Sequence, residues 1–218
     1  MSERPILMNT DMVRAILEGR KTVTRRAMKP QPVLDGHFWR LGGAGWGDNI
    51  SSFHPVPCHS LYNRAPYHPG DILWVRETWT RLPETPGGHF RPHGVYYYKV
   101  GEDLRPEKYR GNGWHPSIHM PRAAARIFLR VTDVRVERLQ SINSQGAYDE
   151  GAVKKPHFIR YGGELCLALH GRYRDDFAAV WDNTIRPADR AAYGWEANPW
   201  VWVIDFGRTS KEETINGA

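Results

Sequence analysis

Arg14, Arg20, Lys21, Arg25, Arg26 and Lys29 fall within sixteen positions of one another, and only Asp11 and Glu18 offset them. Inside this basic run stand an amine and a hydroxyl, Lys21 and Thr24. A hydroxyl is a poor nucleophile until a base takes its proton. A lysine can be that base once burial or nearby cations lower its pKa, and the surrounding arginines push in that direction. Spacing sets a condition. Residues three apart on a regular strand point to opposite faces, so Lys21 and Thr24 meet only if the chain bends just after Gly19 or a bulge intervenes. The same residues also fit a solvated basic edge strand.

Other candidates lie downstream. Arg76 and Glu77 are adjacent in an otherwise apolar stretch and face opposite ways, and whichever points inward needs a partner. They fit a substrate-facing group or a structural ion pair. Ser117, His119 and Arg122 precede the longest strand signal, and His119 could serve as a general acid or as a base-stacking group. Trp114 and His115 adjoin Arg105, Lys108, Tyr109 and Arg110. Interleaved basic and aromatic residues suit single-stranded nucleic acid, and a solvated loop equally. His54, Cys58 and His59 lack the second ligand pair of a zinc site. No metal or cofactor is expected.

The elements that must position these residues follow from periodicity and punctuation. Residues 5–9 read as a short strand. Thr10 caps a helix carrying Met12, Val13, Ile16 and Leu17, which Gly19 stops. Residues 21–26 read as a strand. Residues 28–69, with Gly42, Gly43, Gly45 and Gly47 between Trp39 and Trp46, read as a long loop with little regular structure and lack the spacing of a dinucleotide fingerprint. Strands are expected over 71–79 and 95–100, with loops at 83–94 and 101–117. The longest strand, 126–139, shifts its apolar phase from Ile127, Leu129 and Val131 to Val134 and Val136, which implies a bulge or bend. Residues 142–150 suggest a helix ended by Gly151. After an insertion at 152–172, residues 174–185 form a helix with Phe177, Val180, Trp181 and Ile185 on one face. Residues 200–206 close the pattern as a strand whose Trp200 and Trp202 pack one face.

This order implies an α+β fold, a small β-barrel with flanking helices and long loop insertions. A single domain is expected over 1–208, with insertions near 28–69, 81–118 and 152–172 and a polar tail at 209–218. The chain has 218 residues, 40% hydrophobic and 25% charged, which fits a globular protein and not a disordered one. Net charge is +6, which favours polyanionic partners. The 9 tryptophans offer stacking platforms or core. No run approaches the roughly 18 apolar residues of a membrane span, and no secretory signal opens the chain, so a cytoplasmic protein is expected. Cys58 and Cys166 are too few for a four-cysteine zinc site.

Residues 15–26 (AILEGRKTVTRR) resemble the signature segment of ASCH domains, a branch of the PUA-like superfamily. Residues 68–77 (HPGDILWVRE) resemble that family's Gly-Asp strand, 130–139 (RVTDVRVERL) its long central strand, Glu150 with Gly151 the end of its short helix, and 200–206 (WVWVIDF) its last strand. The matches keep their order and cover about half the chain. The longer ASCH proteins of phages and prophages look more similar still, through residues 116–122 (PSIHMPR) and 197–202 (ANPWVW). The resemblance implies a PUA-like small β-barrel beside a cleft. It further implies binding of RNA or a modified nucleoside, for which Arg20, Arg25, Arg26, Arg76, Glu77, Ser117, His119 and Arg122 are the candidate binding residues. Some members are amidohydrolases that deacetylate N4-acetylcytidine through a Lys, a Thr and a Glu. Carried over by motif, Lys21 would be the base, Thr24 the nucleophile and Glu150 the third residue. Other members cleave RNA or only bind it, so a ribonuclease and a non-catalytic binder stay open.

Overall fold

The structure, a computed structural model, describes residues 2–47, 52–82, 95–101, 113–153, 157–161, 164–168 and 173–210. These form a mixed α and β protein that is mostly sheet. In chain order the elements are β1 Glu3–Leu7, α1 Thr10–Leu17, β2 Val23–Ala27, β3 Val33–Asp35, β4 Phe38–Leu41, β5 Ala44–Gly47, β6 Ser52–Phe53, β7 Ile72–Arg76, β8 Trp79–Leu82, β9 Val95–Tyr98, β10 Phe128–Arg138, α2 Ser144–Asp149, β11 His157–Tyr161, β12 Glu164–Ala168, α3 Tyr173–Thr184, α4 Arg190–Tyr193 and β13 Trp200–Thr209. The chain divides into two compact units. The first is Met1–Gly19, Gly70–Arg130 and Gly207–Ala218, and the second is Arg20–Pro69 and Val131–Phe206.

In the first unit β1 runs parallel to β7, with Pro5 opposite Trp74. The first residues of β10 pair antiparallel with β7, Phe128 opposite Trp74. The single strand expected over 71–79 is two strands. β7 stops at Arg76, and Trp79 opens β8, which forms a hairpin pair with β9. The helix cap is Asn9 rather than Thr10. The Asn9 side chain accepts a hydrogen bond from the Met12 amide at 2.8 Å, leaving Thr10 as the first helical residue. Val13, Ala15 and Ile16 of α1 are buried. Gly19 takes φ +75°, the left-handed conformation that ends helices and favours glycine. Ile72, Met120, Ala124, Ala125 and Phe128 form an apolar cluster flanked by Trp74, Trp79, Tyr96 and Tyr98.

In the second unit β13 lies between β10 and β2, antiparallel to β2 with Ile204 opposite Thr24. Its residues from Trp200 to Ile204 are all buried, so Val201 and Val203 are covered as fully as Trp200 and Trp202. A strand hydrogen-bonded on both sides and buried on both faces tolerates this continuous apolar run. On β10 the buried side changes from Val131 to Val134 and Val136, the phase change visible in the sequence. Helices α2 and α3 contribute Ala147, Phe177 and Trp181 to a cluster with Val23, Leu139, Ile142, Val201 and Val203. Asn143 caps α2 by accepting from the Gly146 amide, and Gly151, at φ +91°, follows its end.

Two expectations about the insertions change. Residues 28–69 hold a three-stranded antiparallel sheet, β3-β4-β5, with Leu34 opposite Trp39 and Trp39 opposite Trp46. The glycines that suggested a loop divide into two roles. Gly42 and Gly43, both at positive φ, make the two-residue hairpin turn, and Gly45 and Gly47 lie within β5. Trp39 and Trp46 meet Trp200 edge-on, at 5.5 and 5.1 Å between ring centroids. Within 152–172, β11 and β12 form an antiparallel pair. None of the described helices is long and apolar enough to cross a membrane.

Candidate functional site

The second unit holds a chain of buried charges built around Lys21. The residue precedes β2 and its side chain curls back on the strand. Its Nζ donates to the Val23 carbonyl at 2.7 Å, to the Glu150 carbonyl at 2.8 Å and to Glu150 Oε2 at 2.7 Å. These are the three donors an ammonium possesses. Glu150 is the C-terminal cap of α2, so the helix end brings both a carboxylate and a free carbonyl to the amine. The neighbouring Asp149 carbonyl accepts from the Thr22 amide at 2.9 Å, which fastens α2 to the segment that carries Lys21.

The position of the amine on β2 follows from the ladder. The Phe206 amide donates to the Thr22 carbonyl, so that carbonyl points toward β13. Successive carbonyls along a strand point to opposite sides, hence the Val23 carbonyl points to the edge of β2 away from β13. Lys21 Nζ therefore sits at the strand edge, on the peptide that joins Val23 to Thr24. Val23 and Arg25 share the face that packs on α2, and by alternation Thr24 lies on the other face. Thr24 is buried and makes no side-chain hydrogen bond among the described residues. The amine thus lies at the strand edge rather than on either face.

Arg25 extends the chain. Its Nη1 donates to Glu150 Oε1 at 3.3 Å and its Nη2 to Glu137 Oε2 at 3.2 Å. Its Nε is buried without a hydrogen-bond partner among the described residues. The other Glu137 oxygen accepts from Arg135 Nε at 2.6 Å, and Arg135 also bonds the carboxylates of Asp205 and Asp133. His54 Nε2 lies 3.3 Å from Asp133. Positive and negative groups thus alternate from Lys21 through Glu150, Arg25 and Glu137 to Arg135 and Asp205. The first four are nearly inaccessible, with side chains 1%, 5%, 4% and 14% exposed.

Burial pushes the Lys21 amine below its ordinary pKa. The Glu150 charge and hydrogen bond oppose this, and the Arg26 and Arg25 charges add to the lowering. Burial also raises the Asp205 carboxyl against the pull of Arg135. Burial disfavours the Arg135 charge, yet its bond to Glu137 and the nearness of Asp205 outweigh that and hold its pKa up.

Of the residues singled out in the sequence, Lys21, Arg25 and Glu150 come together here. Arg20 lies beside them, its Nη1 bonded to the Gly151 carbonyl at 3.3 Å. Arg26 stands opposite Trp202 on β2. The remaining candidates belong to the first unit. Glu77 is fully buried and forms a two-pronged pair with Arg126, both contacts 2.8 Å. Arg76 bonds the Ile118 carbonyl and lies over the Trp74 ring. Arg122 pairs with Glu3 at 2.8 Å and covers the Phe128 ring. Ser117 and His119 sit on the short 3-10 turn Ser117–His119, with His119 exposed. His115 exchanges backbone hydrogen bonds with Trp79. Arg105, Lys108, Tyr109 and Arg110 lie outside the described residues. His59 Nδ1 accepts from the Leu61 amide, and Cys58 is exposed.

Sequence reasoning missed Glu137, Arg135, Asp133 and Asp205. The signal was present on β10, where Asp133, Arg135 and Glu137 recur at period two while Val134 and Val136 take the opposite, buried face. A charged stripe on one face of a half-buried strand reads as solvated surface unless another element is known to cover it. No protein-family model, curated protein or solved structure matches the chain.

Proposed function

We propose that this protein is an amidohydrolase of the ASCH type, acting on N4-acetylcytidine or a similarly acylated cytosine in a nucleoside or RNA. The observation that carries the reading is the placement of Lys21. Its buried amine rests on Glu150 at 2.7 Å and on the peptide immediately before Thr24. In this reading Lys21, once neutral, accepts the Thr24 hydroxyl proton, and Thr24 Oγ adds to the amide carbonyl carbon. The carbon–nitrogen bond then breaks, the amine leaves with the proton that Lys21 took, and water hydrolyses the threonyl ester to free acetate. Glu150 orients Lys21 throughout. The same reading makes the sheet part of a PUA-like barrel and places the protein in the cytoplasm with RNA or a modified nucleoside as partner. It draws support from the ordered resemblance of residues 15–26, 68–77, 130–139 and 200–206 and from the net charge of +6.

A second reading, a non-catalytic binder of RNA or a modified base, is favoured by one observation. All three Lys21 donors are engaged by oxygen acceptors, which is how a structural ammonium is held. Acetate release from N4-acetylcytidine separates the two. The hydrolase requires release by the wild type and none by Thr24→Ala with the fold intact. Tight binding of the nucleoside without release selects the binder. Cleavage of RNA run in parallel would select a ribonuclease instead.

A further inference from the structure

We propose that Glu137, braced by Arg135, is a positioning residue that holds one side of the Arg25 guanidinium and so leaves the Glu150 carboxylate to Lys21. The inference rests on reading Lys21 as a base. Glu150 has two oxygens and two cations competing for them, Lys21 at 2.7 Å and Arg25 at 3.3 Å. The longer contact belongs to the arginine because a second carboxylate, Glu137, draws its other nitrogen at 3.2 Å. Glu137 is in turn fixed through its second oxygen by Arg135 Nε at 2.6 Å, and Arg135 is anchored by Asp205 and Asp133. A single carboxylate on β10 therefore decides how one buried cation is shared.

The consequence has a definite sign. Without the Glu137 charge, Arg25 is free to turn fully onto Glu150 and compete with Lys21 for it. The region around Lys21 also becomes more positive. Both effects make Lys21 release its proton more readily, at lower pH. Among the described residues, the charged groups that act on Lys21 are Glu150, Arg26 and Arg25. Glu150 comes from the end of α2, and Arg25 and Arg26 come from β2. Arg20 binds the Gly151 carbonyl, and the Asp149 carboxylate is held by Gln145. None of these is touched by a change at residue 137 other than Arg25. The same arrangement explains why Arg25 Nε stays open, since its two terminal nitrogens are held by carboxylates on either side.

The test is a carbon-13 titration of the lysine ε-carbons in the full-length protein, with the Lys21 signal assigned by its loss in Lys21→Met. In Glu137→Gln the Lys21 midpoint should move to lower pH, and Glu137→Asp should restore part of the shift. Asp205→Asn, which loosens Arg135 at the far end of the chain, should give a smaller shift of the same sign and serves if Glu137→Gln does not fold. An unmoved Lys21 midpoint in a folded variant overturns the proposal, because a merely structural Glu137 would lower stability and leave that titration alone. The outcome is separable from the hydrolase reading. A shifted midpoint without acetate release keeps this inference and discards that activity, and acetate release with an unmoved midpoint does the reverse.

Discussion

Lys21 grips Glu150 twice, once at the carboxylate at 2.7 Å and once at the backbone carbonyl at 2.8 Å. The helix terminus and the side chain therefore act as one acceptor. The pair joins the segment before β2 to the end of α2, within a unit whose core is built on the same two elements.

Removing either partner should therefore destabilise the protein, and the two changes should differ. Breaking a buried pair costs about 3–5 kcal/mol, because it leaves an uncompensated charge. Lys21→Met still leaves Glu150 its contact with Arg25, whereas Glu150→Gln leaves Lys21 and Arg25 both facing a neutral amide. The second loss should be the larger. Lys21→Met combined with Glu150→Gln should lose less than the sum of the two. Urea unfolding of the four proteins checks this, and additive losses would show that the pair is not coupled.

The lowered Lys21 pKa predicts a pH dependence with a fixed sign. The native amine gives up its proton below the pH at which the unfolded chain does, near 10.5. Between those two values the unfolded state binds more protons, so stability rises with pH. The gain is complete above the unfolded value and is lost as pH falls through the native one. The difference in unfolding free energy between wild type and Lys21→Met isolates this slope. A difference that stays flat or falls as pH rises across that window contradicts the assignment.

Much of the frame is legible in the sequence because its signals are local. Gly19 and Gly151 end helices where a left-handed residue is required, and the phase change on β10 shows in its valines. Lys21 stands out by its neighbours, and Glu150 only by resemblance. The rest depends on long-range packing. Arg25 is separated from Glu137 by more than a hundred positions, and nothing near either announces the other. Trp39 and Trp46 looked like loop residues because glycines surround them. Only the pairing of β4 with β5 turns those glycines into a hairpin that sets both rings against Trp200.

In the first unit, Tyr98 should resist ionisation. Its hydroxyl donates to the Ala124 carbonyl at 2.6 Å, and burial, opposed by Arg126 lying 4.0 Å over the ring, pushes its pKa up to about 12. A raised native pKa means stability that is complete below 10.0, the ordinary value, and lost as pH climbs through about 12. Ultraviolet titration should show a late tyrosinate component that Tyr98→Phe removes. The same substitution should cost about 1 kcal/mol near neutral pH through the lost hydrogen bond. Finding the late component intact in Tyr98→Phe would assign it elsewhere.

Gly146 sits in α2 at the point where the helix passes the Arg25 guanidinium. A helical Gly→Ala change ordinarily stabilises by about 1 kcal/mol. Here a Cβ would stand 3.2 Å from Ile142 Cγ1, 3.4 Å from the Asn143 oxygen that caps the helix, and 3.6 Å from Arg25 Nη2. Ile142 is itself buried in the cluster beneath α2 and has little room to yield. Overpacking of such a site costs about 1–3 kcal/mol, which exceeds the gain in propensity. Gly146→Ala should therefore lower stability by about 1 kcal/mol in urea unfolding. A Gly146→Ala protein more stable than wild type would mean that Ile142 yields and that this site is not overpacked.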